Sequence, residues 1–525
     1  MDIDVELPRS NRSLPQLSRL WRGAVTSHDR QIIERYLRDA ENDMGNYEAE
    51  ISKLKATILT LEAIQTGLRK TMGKYKALLA PIHRLPSEVL LEIFVRHCEQ
   101  NSLGGYDCKY LPAACTVSSV CGRWREIAIA APRLWSSFTI DFGAWSLYHG
   151  VEGTQKAADL TRLFLHRSKT APLDIRILLD VRAGFDCQPT LELIYAASER
   201  WYKFQTHFSE IVAESLTGHL ELPNLQHLTL RTRLLMGTPR NTILNQFAYC
   251  PLLSSVSLDL AGGAANRVHL PWSQLRDMEL LDGCPAAPAF SVIPWCPQLC
   301  RLILIDVDND QQPYQGPRVV SHTIRSLSMQ SARGGSEANI TLAKHLTFPA
   351  LSSLEIINGW ERMLPTRRPE EETHLKEFIS RSGCSITSLR LQAVSLTDEE
   401  VLRLLRLIPM LKSLAIGEYL HEPTNRIITH SFSEQLFIDQ ETSADASHAL
   451  LPLLTELRLS IHANGLDEQA LLDALTSRLT PSSKCLSTVN IALIAKEKPL
   501  AGPLSLLQCF RHVGLCFNLS HTSVD

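Results

Sequence analysis

The chain has 525 residues, which corresponds to about three to five structural units at the usual domain size. Hydrophobic residues make up 44% and charged residues 21% of it, a balance typical of folded soluble proteins that excludes a wholly disordered or collagen-like chain. The net charge of −3 gives no electrostatic reason to expect a nucleic acid or an acidic membrane surface as a partner.

Two kinds of targeting signal can be read from a sequence, a membrane-spanning segment and an N-terminal secretory signal. The sequence contains no long apolar window of the kind that spans a bilayer, and its first residues, Met1 to Glu6, are acidic where a secretory signal would be basic and then apolar. The 13 cysteines form no tight framework. We therefore predict no membrane partner, reduced thiols, and a cytoplasmic or nuclear location.

A long helix is predicted after a flexible leader at residues 1–28. No proline occurs from Ile33 to Leu79, and seam positions recur there at alternating steps of four and three residues. Of fourteen seam positions, thirteen are apolar and Gln65 is the exception. This 3.5-residue period is the coiled-coil pattern. It predicts a coiled-coil helix over 29–80, with a central seam of Ile51, Leu54, Ile58, Leu61, Gln65 and Leu68.

Two arrangements of this helix remain open. The stripe would form a coiled coil, with a second copy through residues 33–79 or with a partner protein, or it would pack against its own chain. Gln65 at a core position fits a residue that sets the register of pairing.

A short helical unit follows Pro81. Pro86 stands where the first turn of a helix needs no N–H, and an apolar stripe follows it at helical spacing. A polar loop over about 99–110 leads to a second predicted helix, Val117 to Ala128, and then to Pro132 and a first strand at Phe138 to Ile140.

This unit resembles the F-box over residues 82–140. The resemblance rests on Leu85-Pro86-x-Glu88-Val89-Leu90-Leu91-x-Ile93-Phe94, then Val120-Cys121-x-x-Trp124-Arg125, then Pro132-x-Leu134-Trp135. The loop between the helices is about ten residues longer than a minimal F-box requires, as in F-box proteins of mushroom-forming fungi, which also tend to carry an N-terminal coiled coil. The resemblance implies an all-α unit that docks on a Skp-type adaptor through Leu85, Pro86, Leu90, Ile93, Phe94, Val120, Cys121 and Trp124.

The remainder of the chain, 141–525, contains a degenerate repeat of the form apolar-x-x-apolar-x-apolar. Ten copies occur, and in six of them a proline lies two positions before the first apolar residue. The copies begin at Leu225, Leu253, Leu275, Leu299, Ile324, Leu351, Ile386, Leu411, Leu454 and Leu486.

The repeat resembles the leucine-rich repeat, in which each copy supplies one short strand and a return segment. The spacing is irregular, so we expect an uneven α/β horseshoe with excursions near 357–385, 417–453 and 460–485. Thr397 to Glu400 reads as the capped start of a return helix. Leu173 to Ile177 alternates like a strand and belongs to divergent opening repeats. The fold class predicted for the whole chain is therefore α/β.

The sequence contains none of the common catalytic and metal-binding patterns. Gly67 to Lys74 has one residue too many between its glycines for a phosphate loop, and Tyr75 replaces the required hydroxyl residue. The sequence has no Cys-x-x-Cys pair, no Gly-x-Ser-x-Gly elbow and no His-Glu-x-x-His helix. We predict no catalytic residue, no metal site, no cofactor and no enzymatic activity.

Two functions therefore compete. By resemblance, the chain would be the substrate-recognition subunit of a Skp–cullin–F-box ubiquitin ligase, with the adaptor and through it the cullin–RING ligase as partners, and with an unidentified protein substrate on the repeats. The alternative is a non-degradative scaffold that uses the heptad helix and the repeats for protein–protein interaction.

Overall fold

The computed structural model describes residues 21–99, 101–104, 111–148, 150–178, 186–208, 220–232, 245–259, 269–281, 286–307, 314, 316–331, 340, 342–358, 371–419, 426–438, 450–479, 486–495 and 502–523. Most of the predicted leader lies outside these residues. The chain divides into two compact units, Met1–Leu90 and Leu91–Asp525.

The first unit is dominated by one long helix, α1, which spans Ser27–Leu78. Its 52 residues give a length of roughly 78 Å at 1.5 Å per residue. A capping box starts it: the Thr26 hydroxyl accepts from the Asp29 amide at 3.3 Å, and the Asp29 carboxylate accepts from the Thr26 amide at 3.1 Å. No residue of α1 is buried. The predicted helix is thus present, and its apolar stripe has no cover within the described chain.

Four further helical segments follow. They are a 3₁₀ turn at Pro81–Arg84, α2 at Ser87–His97, α3 at Ala113–Val120 and α4 at Gly122–Ala130. The single predicted second helix is wrong, because Cys121 has an extended backbone with φ −157° between α3 and α4. Arg125 donates from Nε to the Ser118 carbonyl at 3.0 Å, which satisfies an acceptor freed by this break.

The second unit is built on one parallel sheet of fifteen strands, whose spatial order is the chain order. The strands are β1 Asn101–Leu103, β2 Ser137–Asp141, β3 Leu173–Leu178, β4 Trp201–Phe208, β5 His227–Thr232, β6 Ser255–Leu258, β7 Asp277–Leu280, β8 Arg301–Ile305, β10 Ser326–Ser331, β12 Ser353–Asn358, β13 Ser388–Gln392, β14 Ser413–Gly417, β15 Glu456–His462, β16 Thr488–Ala495 and β17 Cys516–Ser523. Two short strands, β9 Val319–Val320 and β11 Leu346–Thr347, pair separately.

The ten predicted repeat copies coincide with strands β5–β8, β10 and β12–β16. The thirty apolar residues that define the repeat are all buried, with exposures between 0% and 6%. Their second positions stand side by side across the sheet, from Leu228 through Leu302 and Leu414 to Val489. One face of the sheet is therefore a continuous apolar ladder, and the other carries the variable residues.

Return segments connect successive strands and differ along the sheet. In the early part they include helices α5 Phe142–Tyr148, α6 Gly150–Arg167, α7 Gln188–Tyr195 and α8 Ala286–Val292, together with 3₁₀ turns such as Asn245–Phe247 and Trp272–Gln274. In the late part they are α9 Glu371–Ser382, α10 Asp398–Arg406, α11 His430–Leu436 and α12 Glu468–Ser477, before a 3₁₀ helix at Pro503–Val513. The predicted capping box of Thr397 and Glu400 starts α10.

Arginine side chains, one of them buried, join neighbouring return segments. Arg478, 2% exposed, donates to the carbonyls of Leu436, Leu450 and Leu451 at 2.6–2.9 Å. Arg381 donates in the same way to the Ala343 and Leu346 carbonyls. Backbone acceptors that the irregular segments leave unpaired are thus satisfied by guanidinium groups.

Candidate functional site

The first half of the predicted adaptor surface lies around α2. Leu85 is half-buried and Pro86 is exposed. On α2 itself, Ile93 is 45% exposed, whereas Leu90 and Phe94 are 0% and 2% exposed. A partner can reach Pro86 and Ile93 directly, but Leu90 and Phe94 contribute as buried support.

The second half lies at the junction of α3 and α4. Val120 is 57% exposed at the last position of α3, and Cys121 is half-buried in the extended link. Trp124 follows on α4 and packs on Phe94, with ring centroids 4.8 Å apart and planes tilted by 54°. Phe94 and Trp124 thus connect the two predicted halves.

The indole N–H of Trp124 has an unusual environment. Its Nε1 is shielded from solvent and has no hydrogen-bond partner in the part of the chain that the structure describes. An unmade hydrogen bond to a buried donor costs about 1–3 kcal/mol. Ring contacts such as that with Phe94 therefore hold the Trp124 side chain in place, and its indole N–H makes no hydrogen bond to a described residue.

Asn101 organises this region, although the sequence around it predicts a polar loop. Its side chain is completely buried and makes four hydrogen bonds. The amide nitrogen donates to the carbonyls of Cys98, Leu134 and Ser137 at 2.9–3.0 Å, and the amide oxygen accepts from the Ala114 backbone N–H at 2.9 Å. One residue thus ties the end of α2, the start of α3 and the entry to β2.

The long loop between the helices also supplies β1, which pairs in parallel with β2. Gly104 ends β1 with φ +92°, and a Cβ there would overlap the Trp145 indole. Trp145 in turn donates from Nε1 to the Leu103 carbonyl at 3.0 Å. The predicted all-α unit over 82–140 is mainly helical. The strand predicted at Phe138 to Ile140 is present as β2, but it is the second strand of the sheet, because residues 101–103 form β1 before it.

The open face of the sheet offers a second candidate surface. A groove of about 260 Å³ lies across β13–β17. Its lining includes two guanidinium side chains, Arg390 and Arg458, and small residues where other strands carry larger ones, among them Ala415, Ser460, Ala492 and Ser520.

The two arginines of the groove differ in their partners. Arg458 pairs with Glu456, with Nε 2.8 Å from Oε1. The Ser413 hydroxyl and Arg458 together lower the pKa of the Glu456 carboxyl. Arg390 is exposed and makes no ion pair with any residue that the structure describes. The groove is therefore lined by one arginine that is paired with a carboxylate, Arg458, and one that is not, Arg390.

Burial suppresses the reactivity of three described thiols, Cys98, Cys250 and Cys296. Burial raises the pKa of Cys98 to about 11 and the pKa of Cys250 and Cys296 to about 12. These thiols stay protonated at neutral pH and are poor nucleophiles. Among the residues described, no group of three or more His, Cys, Asp or Glu side chains is placed to hold a metal ion. No described helix is long and apolar enough to cross a membrane.

Comparison with known proteins identifies the helical unit. A family model described as F-box-like matches residues 82–141. The chain therefore carries an F-box-like domain, which supports a role as an F-box adaptor in Skp–cullin–F-box ligases. None of the curated proteins matches the chain in sequence. Among solved structures, a Bacteroides fragilis protein is similar at 10% identity, over 61% of this chain and 76% of that one, with a TM-score of 0.31.

Proposed function

We propose that the protein is the substrate-recognition subunit of a Skp–cullin–F-box ubiquitin ligase. The F-box-like match at residues 82–141 carries this proposal. The exposed apolar side chains of Ile93 and Val120 and the half-buried ring of Trp124 are suited to a protein interface, because aromatic and aliphatic anchors dominate binding energy there. The unsatisfied Trp124 N–H favours a partner that brings an acceptor or reorders this edge.

The sheet is proposed to be an irregular leucine-rich-repeat solenoid that holds the substrate on its open face. Three observations support this: parallel strands in chain order, one buried apolar ladder, and return segments of unequal length. The groove across β13–β17 offers a substrate side chain a depression on that face beside the exposed guanidinium of Arg390. The predicted substrate is a protein, reached in the cytoplasm or nucleus.

The chain is proposed to have no catalytic residue of its own. Ubiquitin transfer then requires an added RING subunit and a conjugating enzyme. Transfer by the purified chain without them would contradict the proposal.

Adaptor capture tests the F-box role. We expect Ile93→Asp with Val120→Asp to weaken binding of a Skp-type adaptor at least about thirtyfold, because both charges enter an apolar interface. Leu85→Ala with Pro86→Ala should act in the same direction. Ile129→Asp is the matched control, since Ile129 is 40% exposed on α4 and lies outside the predicted surface. Circular dichroism verifies that each variant is folded.

A second candidate function is the non-degradative scaffold, and the uncovered stripe of α1 favours it. Its discriminating measurement is whether adaptor and cullin copurify with the full chain. Wild-type adaptor binding by the folded Ile93/Val120 variant, or copurification of neither subunit, would leave the scaffold as the better account.

A further inference from the structure

The apolar stripe of α1 is exposed to solvent, and a binding partner would cover it. The central seam residues Ile51, Leu54, Ile58, Leu61 and Leu68 are 48–60% exposed, although their chain folds a large core elsewhere. A stripe of this length in water is a binding surface or an aggregation liability. The proposed coiled coil requires a second helix, and the charges on α1 indicate which helix it is.

Charge is distributed very unevenly along α1. Residues 27–52 carry seven Asp and Glu against three Lys and Arg, a net charge of −4. Residues 53–78 carry six Lys and Arg against one Glu, a net charge of +5. The sign changes at the middle of the helix, between Ser52 and Lys53.

We propose that α1 pairs with α1 of a second copy in antiparallel orientation. Each acidic half then lies along a basic half. A parallel pair would place −4 beside −4 and +5 beside +5, and like-charge juxtaposition opposes association. This inference rests on the proposed coiled coil and adds its occupant and its direction.

The seam supports the same arrangement. When Ser27 lies opposite Leu78 of the second copy, the helices match end to end. Seam residues then face seam residues throughout 33–72. The facing pairs are Ile51 with Leu54, Tyr47 with Ile58, Met44 with Leu61, Ala40 with Gln65, Leu37 with Leu68 and Ile33 with Met72.

Gln65 is accommodated well in this register. It faces Ala40, the smallest residue of the seam, so its amide can bend toward the solvent edge instead of displacing a large apolar side chain.

The residues that flank the seam contribute in the same direction. Glu48 lies beside Lys55 of the second copy and Glu34 beside Arg69, and each contact occurs twice in the pair. Glu41 beside Glu62 is the opposing contact. Attractive contacts therefore outnumber repulsive ones.

The orientation has a geometric consequence for the proposed ligase. Each chain leaves α1 at Leu78, so the two exit points of an antiparallel pair lie one helix length, roughly 78 Å, apart. In a parallel pair they would be adjacent. The antiparallel pair presents two F-box-like domains that start at opposite ends of one rod.

Photo-crosslinking in the full chain tests the proposal. Benzoylphenylalanine replaces Leu37 in one sample, Leu68 in a second and Ile51 in a third. Each is mixed with isotopically labelled wild-type chain, so that mass spectrometry separates links between copies from links within one. We expect Leu37 to link to about 65–72 of the other copy and Leu68 to about 34–41. Ile51 should link near the helix centre in either orientation and so reports pairing alone.

Three outcomes overturn the inference. A link from Leu37 to the region of residue 37 in the other copy means a parallel pair. A link at Ile51 with none at Leu37 and Leu68 means that the helices do not match end to end. Absence of all links between copies means no self-pairing, while the adaptor-capture experiment still decides the F-box role independently.

Charge variants give a second readout. Lys55→Glu with Arg69→Glu should raise the dimer dissociation constant about tenfold, because these two residues make four flanking contacts in the pair and such contacts contribute a few tenths of a kcal/mol each. The matched control, Lys53→Glu with Lys70→Glu, makes the same charge change on the outer face and should act more weakly. Raising salt should weaken the wild-type pair. A pair that salt strengthens would contradict antiparallel alignment.

Discussion

The long helix and the sheet share one kind of sequence pattern, regularly spaced apolar residues, but they differ in whether those residues are buried. In the sheet every one of the thirty pattern residues is buried, whereas in α1 none of the 52 residues is. The difference teaches that periodicity predicts which face is apolar, and that only the arrangement of neighbours decides whether the chain covers that face itself.

The source of this difference is connectivity. Each strand of the sheet has a strand before and after it in the chain, and the return segments cover the ladder. A repeat therefore finds its partner within a few tens of residues. The stripe of α1 has no repeated neighbour of this kind in the sequence, and none of its residues is buried.

The largest effect should follow from a charge placed in the ladder. Leu302→Asp puts a carboxylate at a fully buried position of β8 and should cost at least about 4 kcal/mol of unfolding free energy. Ile303→Asp, the next residue along the strand, points to the open face and should cost less than about 1 kcal/mol. Thermal unfolding followed by circular dichroism measures both. Equal destabilisation by the two variants would show that the faces are not distinct.

The next effect concerns the junction of helices and sheet. Asn101→Leu removes four hydrogen bonds at once and leaves three carbonyls and the Ala114 N–H without this partner. We expect a loss of about 2–4 kcal/mol and weaker adaptor capture, since α2 and α3 lose their common anchor. Ser102→Ala is the control, because Ser102 lies next to Asn101 and is exposed. An Asn101→Leu variant as stable as wild type would show that the Asn101 hydrogen bonds do not stabilise this junction.

The sequence predicts ten of the fifteen strands of the sheet through the repeat, and it predicts the junction poorly. The repeat pattern was visible because all three of its positions are apolar in ten copies. The repeat pattern does not predict strand β4, because Thr206 occupies the third apolar position of the repeat there. The Thr206 side chain is nevertheless fully buried. The sequence does not predict strand β1, because this strand has only three residues and is anchored by Asn101, a residue type that favours turns.

The candidate adaptor surface was predicted by residue type and not by exposure. The family pattern selects Leu90 and Phe94 as readily as Ile93 and Val120, but burial separates the two pairs. The break at Cys121 was missed, because an apolar stripe can continue across a link whose backbone is extended. The groove was missed as well, since small residues on adjacent strands become a depression only when the register aligns them.

A moderate effect is expected in α1. Ile51→Asp with Leu54→Asp should raise the dissociation constant for self-association at least about a hundredfold, since two apolar side chains leave the seam in each copy. The thermal transition of the sheet should not move, because no residue of α1 is buried. Ala56→Asp lies on the outer face and serves as control. Sedimentation measures the association, and a shifted sheet transition would mean that the stripe packs internally.

The smallest effect belongs to a surface contact between two return helices, the kind of neighbour that α1 lacks. His430 of α11 contacts Asp467, which caps α12, at 2.9 Å and Glu434 at 3.1 Å. These carboxylates raise the pKa of His430, and the Ala470 amide and His430 lower the pKa of Asp467. The His430 contribution is complete below its ordinary value of 6.5 and is lost as the pH rises through the raised value. The Asp467 contribution is present above 3.8 and is lost as the pH falls through the lowered value.

The contact should therefore stabilise most between about pH 4 and pH 6.5. Protection of α11 against hydrogen exchange, expressed relative to His430→Gln at each pH, should be greater at pH 5.5 than at pH 8.5. Screening by water keeps the difference small, because the His430 side chain is 60% exposed. Greater relative protection at pH 8.5 would reverse the assigned sign. Equal relative protection at the two pH values would mean that the return helices are held by the packing of the ladder, with no contribution from this contact.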